Sequence, residues 1–466
     1  MSARKHPFVM PVLLVSTILP LSSVAADNPD SNTVNSNNRS EKIKALETQI
    51  NQLETQINQN QKDTQNQFKQ VQDAVKINGF ISAAAAKNDG GSAEIAGIGD
   101  KINTNADSVM GLQLIIKGNE QLSVTTQFIS RGLELHNTKT EWAFLTYRVT
   151  DEDALQAGRF RIPYYLFSES LDVRFSYPWV RLPIEVYNVP ISSLEGFQWT
   201  HKLSYAGWQT DLSTYFGRGL AHDDVNKDDF ILDRAWGAVW ASTKADWTVR
   251  LSYNVGKIQV ENLQSGGALD QLNTALREVG QAAADFNATY NTNERTDFAL
   301  PMENLLGEYT NLSVSYDNST WLVTTELAHL TLSKAIVPAG SSGYILFGKH
   351  FGKWLPHFTF AKFYTDYKND KSRASFTNDL SRYKTDLSNT GFADKAAGIQ
   401  QIIDSINLNE QTQQSYTLGL NYEVSNNLKL KWEAAQYNDF HGGTGRFDSN
   451  PGKRVGIYTF SMDAIF

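Results

Sequence analysis

Three features are missing from this chain of 466 residues: cysteine, long apolar runs and an excess of basic residues. Because cysteine is absent, the fold depends on no disulfide bond, which excludes small disulfide-stapled scaffolds. Beyond the N-terminus no window holds about 18 consecutive apolar residues, which argues against a helical membrane protein. The 50 acidic residues outnumber the 42 Lys and Arg residues, and this acidic balance argues against nucleic acid as a partner.

The N-terminus has the three parts of a secretory signal peptide. Arg4 and Lys5 precede an apolar run over 8–21, and small residues follow at 24–26. The run is interrupted by prolines and is too short to cross a bilayer as a helix. The sequence therefore predicts a signal peptide over residues 1–26, cleaved at its end, and export of the remaining chain.

Two segments of different character follow. Residues 27–40 are rich in Asn, Ser and Asp, with almost no apolar side chains, which predicts a disordered leader. Residues 41–75 carry apolar side chains at alternating spacings of three and four, which predicts a coiled coil. Its seam consists of Ile43, Leu46, Ile50, Leu53 and Ile57. The polar second half leaves open whether the coil has two or three strands, and a single amphipathic helix lying on another surface is the alternative.

From residue 76 onward the apolar period changes to two, the period of a β-strand. In one segment Trp247, Val249, Leu251 and Tyr253 alternate with polar residues. Sixteen such segments are predicted as strands, at roughly 76–86, 108–117, 120–131, 140–149, 154–162, 194–205, 207–217, 230–242, 246–256, 308–317, 320–331, 343–352, 354–366, 413–424, 427–438 and 453–466.

The connections between these segments alternate in length, since those after even-numbered strands are tight turns. The longest of the others are about 160–193, 256–307 and 367–412. The last two contain helical stretches near 269–286 and 393–406. Short turns on one side and long loops on the other are typical of bacterial outer-membrane barrels. We therefore predict an all-β fold, a 16-stranded antiparallel transmembrane β-barrel over 76–466, with the coiled coil on the short-turn, periplasmic side. A large soluble β protein is the alternative.

The final segment indicates which medium surrounds this barrel. Tyr458, Phe460, Met462 and Phe466 occupy alternate positions, with polar residues between most of them. A strand that is apolar on one face and ends the chain needs lipid to cover that face. Sixteen strands also enclose a lumen wide enough for water, which predicts an aqueous channel.

The connection from 162 to 193 carries four prolines and many aromatic residues, unlike a solvated surface loop, so we predict that it packs inside the barrel. There it would form a constriction with the charged residues Glu169, Asp172, Arg174, Arg181 and Glu185. Opposite it we predict a pore-lining basic wall on strand positions that alternation assigns to the lumen: Arg131, Arg148, Arg159, Arg161, Lys202 and Arg250. Such an arrangement would set up a transverse field across a narrow aqueous opening. For each arginine, a single ion pair that braces the wall is the alternative.

Four features together resemble the Gram-negative outer-membrane porin family: the signal peptide, the sixteen alternating strands, the inserted loop at 162–193, which is the third connection on the long-loop side, and the terminal Phe466. The coiled coil resembles the DcaP-type porins in particular. The resemblance implies a homotrimer in the outer membrane, in contact with the lipid bilayer and lipopolysaccharide, through which solutes diffuse passively. It also implies insertion by the barrel-assembly machinery, which would recognise the final strand through Tyr458, Phe460 and Phe466.

The sequence thus predicts a porin with a water-filled channel for small hydrophilic solutes, and not an enzyme. The arginines leave open a channel specific for an anionic or dicarboxylate-like solute. A structural protein that tethers the outer membrane to peptidoglycan, with the barrel plugged by the third loop, is a second alternative. A barrel hydrolase would need a pair such as His441 beside Asp439. The eight histidines show no metal-ligand spacing, so neither a metal nor a cofactor is predicted.

Overall fold

The computed structural model describes residues 35–222, 229–261, 268–298, 304–332, 340–365, 371–389, 393–408 and 412–466. The described residues form two units, of which the first ends at Gln70 and the second is Val71–Phe466. The predicted signal peptide and the first part of the predicted leader lie outside the described residues.

The first described element is helix α1, Asn35–Ala74. Gln is its most frequent residue, and Gln, Glu and Lys together supply 16 of its 40 residues. Such straight-chain residues lose little rotamer freedom in a helix. The helix begins inside the segment for which disorder is predicted, because extending a formed helix costs far less than nucleating one. The five seam residues from Ile43 to Ile57 are 52–56% exposed. The coiled coil stays a prediction, and this seam is the surface that it would cover. Of the described helices, none is long and apolar enough to cross a membrane.

Sixteen strands form a closed barrel in which each strand pairs antiparallel with its neighbours in sequence and β1 pairs with β16. The strands are β1 Val75–Asn88, β2 Val109–Lys117, β3 Leu122–Arg131, β4 Thr138–Arg148, β5 Asp153–Arg161, β6 Ser193–Tyr205, β7 Trp208–His222, β8 Asp229–Lys244, β9 Trp247–Glu261, β10 Leu305–Asp317, β11 Trp321–Leu332, β12 Gly340–Lys349, β13 Trp354–Thr365, β14 Gln413–Ser425, β15 Leu428–Asn438 and β16 Arg454–Ile465. The predicted 16-stranded antiparallel barrel is confirmed. Closure leaves no strand with unpaired backbone groups at an edge.

The C-terminal residue completes the ring. Phe466 and Gly79 exchange two backbone hydrogen bonds of 2.7 and 2.9 Å. The aromatic ring of Phe466 lies so close to Gly79 that a Cβ atom there would be 2.2 Å from Cε2 of the ring. The ring of Phe466 therefore packs over the space that the absent side chain of Gly79 leaves.

The barrel wall is apolar outside and polar inside, the reverse of a water-soluble protein. On β16 the apolar residues Tyr458, Phe460 and Met462 are 39–57% exposed, whereas three polar residues of the strand are at most 9% exposed: Thr459, Ser461 and Asp463. Leaving a large apolar side chain in water forgoes about 1.5–3 kcal/mol relative to burying it. The outer face is therefore suited to lipid.

Three helices in the long connections pack on one another: α2 Ala268–Tyr290, α3 Lys371–Asn389 and α4 Ala393–Leu408. Their shared apolar core includes Leu276, Phe286, Leu380, Tyr383 and Ile399. Helices α2 and α4 fall where the sequence predicts them. Helix α3 was missed because it is polar overall, although its apolar residues at 376, 380, 383 and 387 follow helical spacing.

Candidate functional site inside the barrel

The connection between β5 and β6, residues 162–192, is called loop 3 here and lies inside the barrel. Its aromatic and aliphatic residues pack against inward-facing residues of the wall in one buried cluster. The cluster includes Tyr164, Tyr165, Tyr177, Trp179, Leu182 and Val186 from loop 3, and Leu194, Tyr215, Tyr309, Tyr344 and Leu346 from the strands. The indole Nε1 of Trp179 donates to Oγ1 of Thr359 on β13 at 2.9 Å. The predicted insertion of loop 3 into the barrel is confirmed.

On β11, the carboxylate of Glu326 holds loop 3. Glu326 is 0% exposed, and a buried carboxylate is tolerated only when donors surround it. Its donors are the backbone N–H of Leu166 (3.0 Å) and the side chains of Tyr187, Tyr344 (2.7 Å), Asn311 (3.1 Å) and Ser313 (3.0 Å). Two of these donors, Leu166 and Tyr187, belong to loop 3, so Glu326 ties both arms of the loop to the wall.

On β15, the ammonium group of Lys431 makes a second attachment. Its Nζ donates to three loop 3 carbonyl oxygens, those of Arg174 (2.6 Å), Tyr177 (2.9 Å) and Trp179 (2.8 Å). It also forms an ion pair of 2.8 Å with Asp463 on β16, and both side chains are 0% exposed. The attachment therefore joins loop 3 to β15 and β16, the last two strands of the barrel.

A third attachment is an ion cluster where β4 and β5 separate, and Glu134 joins it through an ion pair of 3.3 Å with Arg131. The two strands pair only as far as Ala143↔Arg159. Beyond that point Arg161 contacts Glu141 (2.8 Å) and Asp172 of loop 3 (2.6 Å). Arg131 contacts the same two carboxylates at 3.1 and 2.7 Å. Burial alone would raise the pKa of Asp172, but the two guanidinium groups outweigh it and hold this pKa below its ordinary value.

The arginines of loop 3 meet a carboxylate that the sequence did not single out. Asp107, in the connection between β1 and β2, is 2% exposed and accepts from Arg174 at 3.0 Å and from Nε of Arg181 at 3.0 Å. Burial would raise its pKa, but these two arginines lower it. Asp107 is therefore the shared ion-pair partner of both loop arginines, one carboxylate against two guanidinium groups. One acidic residue in a polar loop gave no sequence signal for this role.

The remaining predicted constriction residues differ in exposure. Glu185 is 1% exposed, accepts a 3.0 Å hydrogen bond from Gln413 through Oε1, and has a pKa raised by burial. Glu169 is exposed. Of the three carboxylates predicted to face a solute from loop 3, only Glu169 is open to solvent.

The predicted basic wall is divided into separate groups. Arg131 and Arg161 belong to the ion cluster, and Arg250 is buried, donating to the backbone carbonyls of Pro163 and Tyr164. Lys202 and Arg148 are exposed and lie at or near the short-turn ends of their strands. The six basic residues therefore do not form one continuous surface.

Arg159 lies on the outer face, contrary to the prediction. Ala157, two residues before Arg159, pairs with Leu145 on β4 and with Phe197 on β6. Leu145 is 39% exposed and Phe197 is 69% exposed, so this face of the three strands points outward. Arg159 shares this face and pairs with Glu195 at 3.5 Å. The prediction failed because the small residues of β5 give no facing signal, so the neighbouring strands alone decide its orientation.

The interior also contains an uncharged polar surface on β4–β7. Gln156 on β5 pairs in register with Gln198 on β6, which pairs with Tyr215 on β7. Tyr215 is only 3% exposed, so this face points inward. Phe197 and Phe216, on the opposite face, are 69% and 57% exposed. Five inward, half-buried residues are called the polar wall: Thr146, Gln156, Gln198, Thr200 and Ser213. Charge-based reasoning missed them, although strict alternation from Phe197 would have found Gln198.

The polar wall residues bond to one another but keep free capacity. Gln156 donates to Thr146 and Gln198 donates to Thr200, each at 3.4 Å, and the hydroxyls of Thr200 and Ser213 are 2.9 Å apart. A primary amide has two donors and an oxygen with two lone pairs. These long hydrogen bonds therefore leave most of the amide groups' capacity available to water or to a solute.

The pair of His441 and Asp439, considered above for hydrolysis, shares its aspartate with a lysine. His441 Nε2 is 2.9 Å from Oδ1 of Asp439, and Lys362 is 2.9 Å from Oδ2 of the same aspartate. Asp439 is thus shared with a lysine rather than dedicated to orienting a general base. Among the described residues there is no group of three or more His, Asp or Glu side chains that could hold a metal ion.

No protein-family model and no curated protein sequence matches this chain. Solved structures of outer-membrane proteins match its fold, and two of them are described here. The outer membrane channel DcaP of Acinetobacter baumannii has 10% sequence identity and a TM-score of 0.50, covering 84% of this chain and 97% of that one. OmpF of Salmonella typhi, in a complex with daunomycin, gives the same identity, TM-score and coverage. The resemblance to outer-membrane porins is therefore confirmed for the fold.

Proposed function

We propose that this protein is an outer-membrane porin, a water-filled channel through which small hydrophilic solutes diffuse passively. The observation that carries the proposal is the difference between the two sides of the interior. Inward polar residues of β9–β16 such as Asn311, Ser313 and Lys431 are completely buried beside loop 3, whereas the five residues of the polar wall on β4–β7 stay half-buried and offer unfilled hydrogen-bonding capacity. A solute path would run between the polar wall and loop 3, with Glu169 on the loop side.

The proposal extends to export and assembly. Residues 1–26 would be removed after secretion, and the barrel-assembly machinery would recognise Tyr458, Phe460 and Phe466. Helix α1 would lie in the periplasm and form a coiled coil between copies of the chain. The exposed seam from Ile43 to Ile57 supports this, because such a stripe gains stability only when another helix covers it. A homotrimer surrounded by lipid and lipopolysaccharide follows from the same proposal.

A tethering protein is the second candidate, favoured by the many attachments of loop 3. Glu326, Lys431 and the ion cluster fix the loop to opposite sides of the barrel. If the loop closed the interior completely, the barrel would be an anchor, with peptidoglycan as the partner of its N-terminal segment. The two functions differ in one measurable quantity, the conductance of the folded barrel.

Single-channel conductance of the mature protein in planar bilayers separates these candidates. We expect discrete openings, and a smaller conductance in Gln198→Trp, where a large side chain enters the path. Phe197→Trp is the matched control, since the neighbouring residue faces outward, and its conductance should equal that of the wild type. Folded barrels that conduct no current would contradict the porin and support the tether.

A further inference from the structure

Charged side chains interrupt the apolar outer face of the barrel at the long-loop ends of β5–β8. Arg159 on β5, Glu195 on β6 and Arg218 on β7 lie side by side in register. A bulge in β8 sets Asp233 and Arg234 together opposite Arg218. Arg234 has a φ of 49°, a left-handed conformation that few residues other than glycine adopt. These five residues are called the outer charged patch.

Ion pairing within the outer charged patch is weak. Arg159 is 3.5 Å from Glu195, whose side chain is 72% exposed, and Arg234, itself 70% exposed, is 3.5 Å from Asp233. Exposed pairs at such distances contribute little. Arg218 is exposed and forms no ion pair with any described residue. One guanidinium group is therefore in excess, and an anion could displace the present partners of the other two.

The charges next to the patch do not remove this excess. On β9, Lys257 lies in register with Asp233. The next outward carboxylate, Glu308 on β10, accepts a 2.9 Å hydrogen bond from the hydroxyl of Tyr253. Together, three arginines and one lysine face three carboxylates, so the outer face keeps a positive charge here.

The outer charged patch lies where the apolar core of a membrane would end. Glu195 is ten residues from Tyr205, which is 79% exposed at the short-turn end of β6. At about 3.4 Å per residue and a strand tilt of about 40°, the two residues are about 26 Å apart along the barrel axis. The apolar band of such barrels is about 25 Å tall and is flanked by aromatic residues. Exposed aromatic residues lie beside the patch on the side of the short turns: Phe197, Phe216 and Trp236.

We propose that the outer charged patch binds the phosphate groups of an anionic lipid in the outer leaflet, whose acyl chains contact Phe197, Phe216 and Trp236. The inference rests on the proposed function for its place in an outer membrane. The planar fork of an arginine matches phosphate oxygens with two parallel N–H bonds, whereas an arginine that faces hydrocarbon is costly. A second copy of the chain fits this face less well, because the core of subunit interfaces is depleted of charged residues.

Native mass spectrometry of the mature protein in detergent micelles, titrated with diphosphorylated lipid A, tests this inference. We expect saturable binding to the wild type and binding on the order of tenfold weaker to Arg218→Gln. Arg148→Gln is the matched control, since Arg148 is exposed at the short-turn end of β4, and it should bind like the wild type. Absence of binding to the wild type would overturn the inference. Equal affinity of Arg218→Gln and the wild type, with heat-modifiable gel migration showing that both fold, would also overturn it.

Two further measurements separate the lipid from other occupants. Inorganic phosphate at the same concentration should not displace lipid A, and displacement would replace the lipid with a soluble anion and overturn the inference. Loss of oligomers on unheated gels in Arg218→Gln, with unchanged lipid binding, would overturn it in favour of a second copy of the chain. Folded barrels that bind lipid A through the patch but conduct no current would contradict the porin and leave this inference intact.

Discussion

The two sides of the barrel interior use polar residues in opposite ways. Four inward polar residues of β9–β16 are 0% exposed and hold loop 3 directly or through a neighbouring charged side chain: Asn311, Ser313, Lys431 and Asp463. On β4–β7 the five residues of the polar wall are half-buried and bond to one another. We call the buried polar surface of β9–β16 the anchored wall. The same strand alternation produces both, so the position of loop 3 decides which polar residues become structural and which remain accessible.

This difference explains why charge alone did not predict which interior side chains stay exposed. Buried charges need close partners, and here Asp172, Glu326 and Lys431 obtain them from the wall or from loop 3. Most of the charged side chains that contact loop 3 are thereby paired with other groups of the protein. A surface that interacts with solutes must keep free capacity, and the uncharged residues of the polar wall do so.

The largest effect should come from Lys431→Met in the anchored wall. The substitution leaves Asp463 as an unpaired buried carboxylate and removes the donor to three loop 3 carbonyls. Removing one partner of a buried ion pair costs about 3–5 kcal/mol, and we expect a loss of that size in the free energy of unfolding, measured by urea titration in detergent micelles.

The double variant Lys431→Met with Asp463→Leu is the control for that experiment. It removes both charges, so no unpaired carboxylate remains, and it should recover part of the lost stability. If the double variant were as unstable as the sum of the two single variants, the ion pair would contribute nothing as a pair.

Asp172→Asn should have an intermediate effect that depends on pH. Because the pKa of Asp172 is lowered in the folded state, its carboxylate stabilises the fold at pH values above its ordinary pKa of about 3.9, and this contribution disappears as the pH falls through the folded-state pKa. We expect the variant to be less stable by about 2 kcal/mol at pH 7, and the difference to shrink below about pH 4.

Glu169→Gln serves as the control, since Glu169 lies three residues away on the same loop but is exposed. Its unfolding free energy should follow that of the wild type across the same pH range. A pH-independent difference for Asp172→Asn would mean that packing, and not charge, accounts for its role.

The smallest effect should come from Arg159→Ala. Its partner Glu195 is 72% exposed and 3.5 Å away, and exposed ion pairs contribute at most about 1 kcal/mol. Arg161→Ala, two residues further on, removes a 4% exposed member of the ion cluster and should cost several times more. Equal losses in the two variants would contradict the assignment of Arg159 to the outer face.

Local pattern was sufficient to predict the strands, the insertion of loop 3 and the apolar outer face of the final strand. Alternation on β16, for example, reports directly which residues face lipid, because facing has a period of two. Helix α3 shows the limit of this approach, since a single apolar stripe at 376, 380, 383 and 387 in a polar sequence is easily missed.

The interior contacts could not be predicted because they join distant parts of the chain. Lys431 bonds to carbonyls more than 250 residues earlier, and backbone carbonyls carry no residue-specific signal. Glu141 enters the ion cluster at a register shift between β3 and β4, which alternation does not reveal. Asp107 acquires its role only because the connection between β1 and β2 contacts loop 3 in the folded barrel.

Thiol accessibility tests the difference between the two walls most directly, because the chain contains no cysteine. Single variants Gln198→Cys in the polar wall and Ser313→Cys in the anchored wall would be treated with a charged, membrane-impermeant thiol reagent in reconstituted channels. We expect Cys at 198 to react rapidly and the current to fall, and Cys at 313 to stay unmodified with an unchanged current. Equal reaction rates at the two positions would contradict the account.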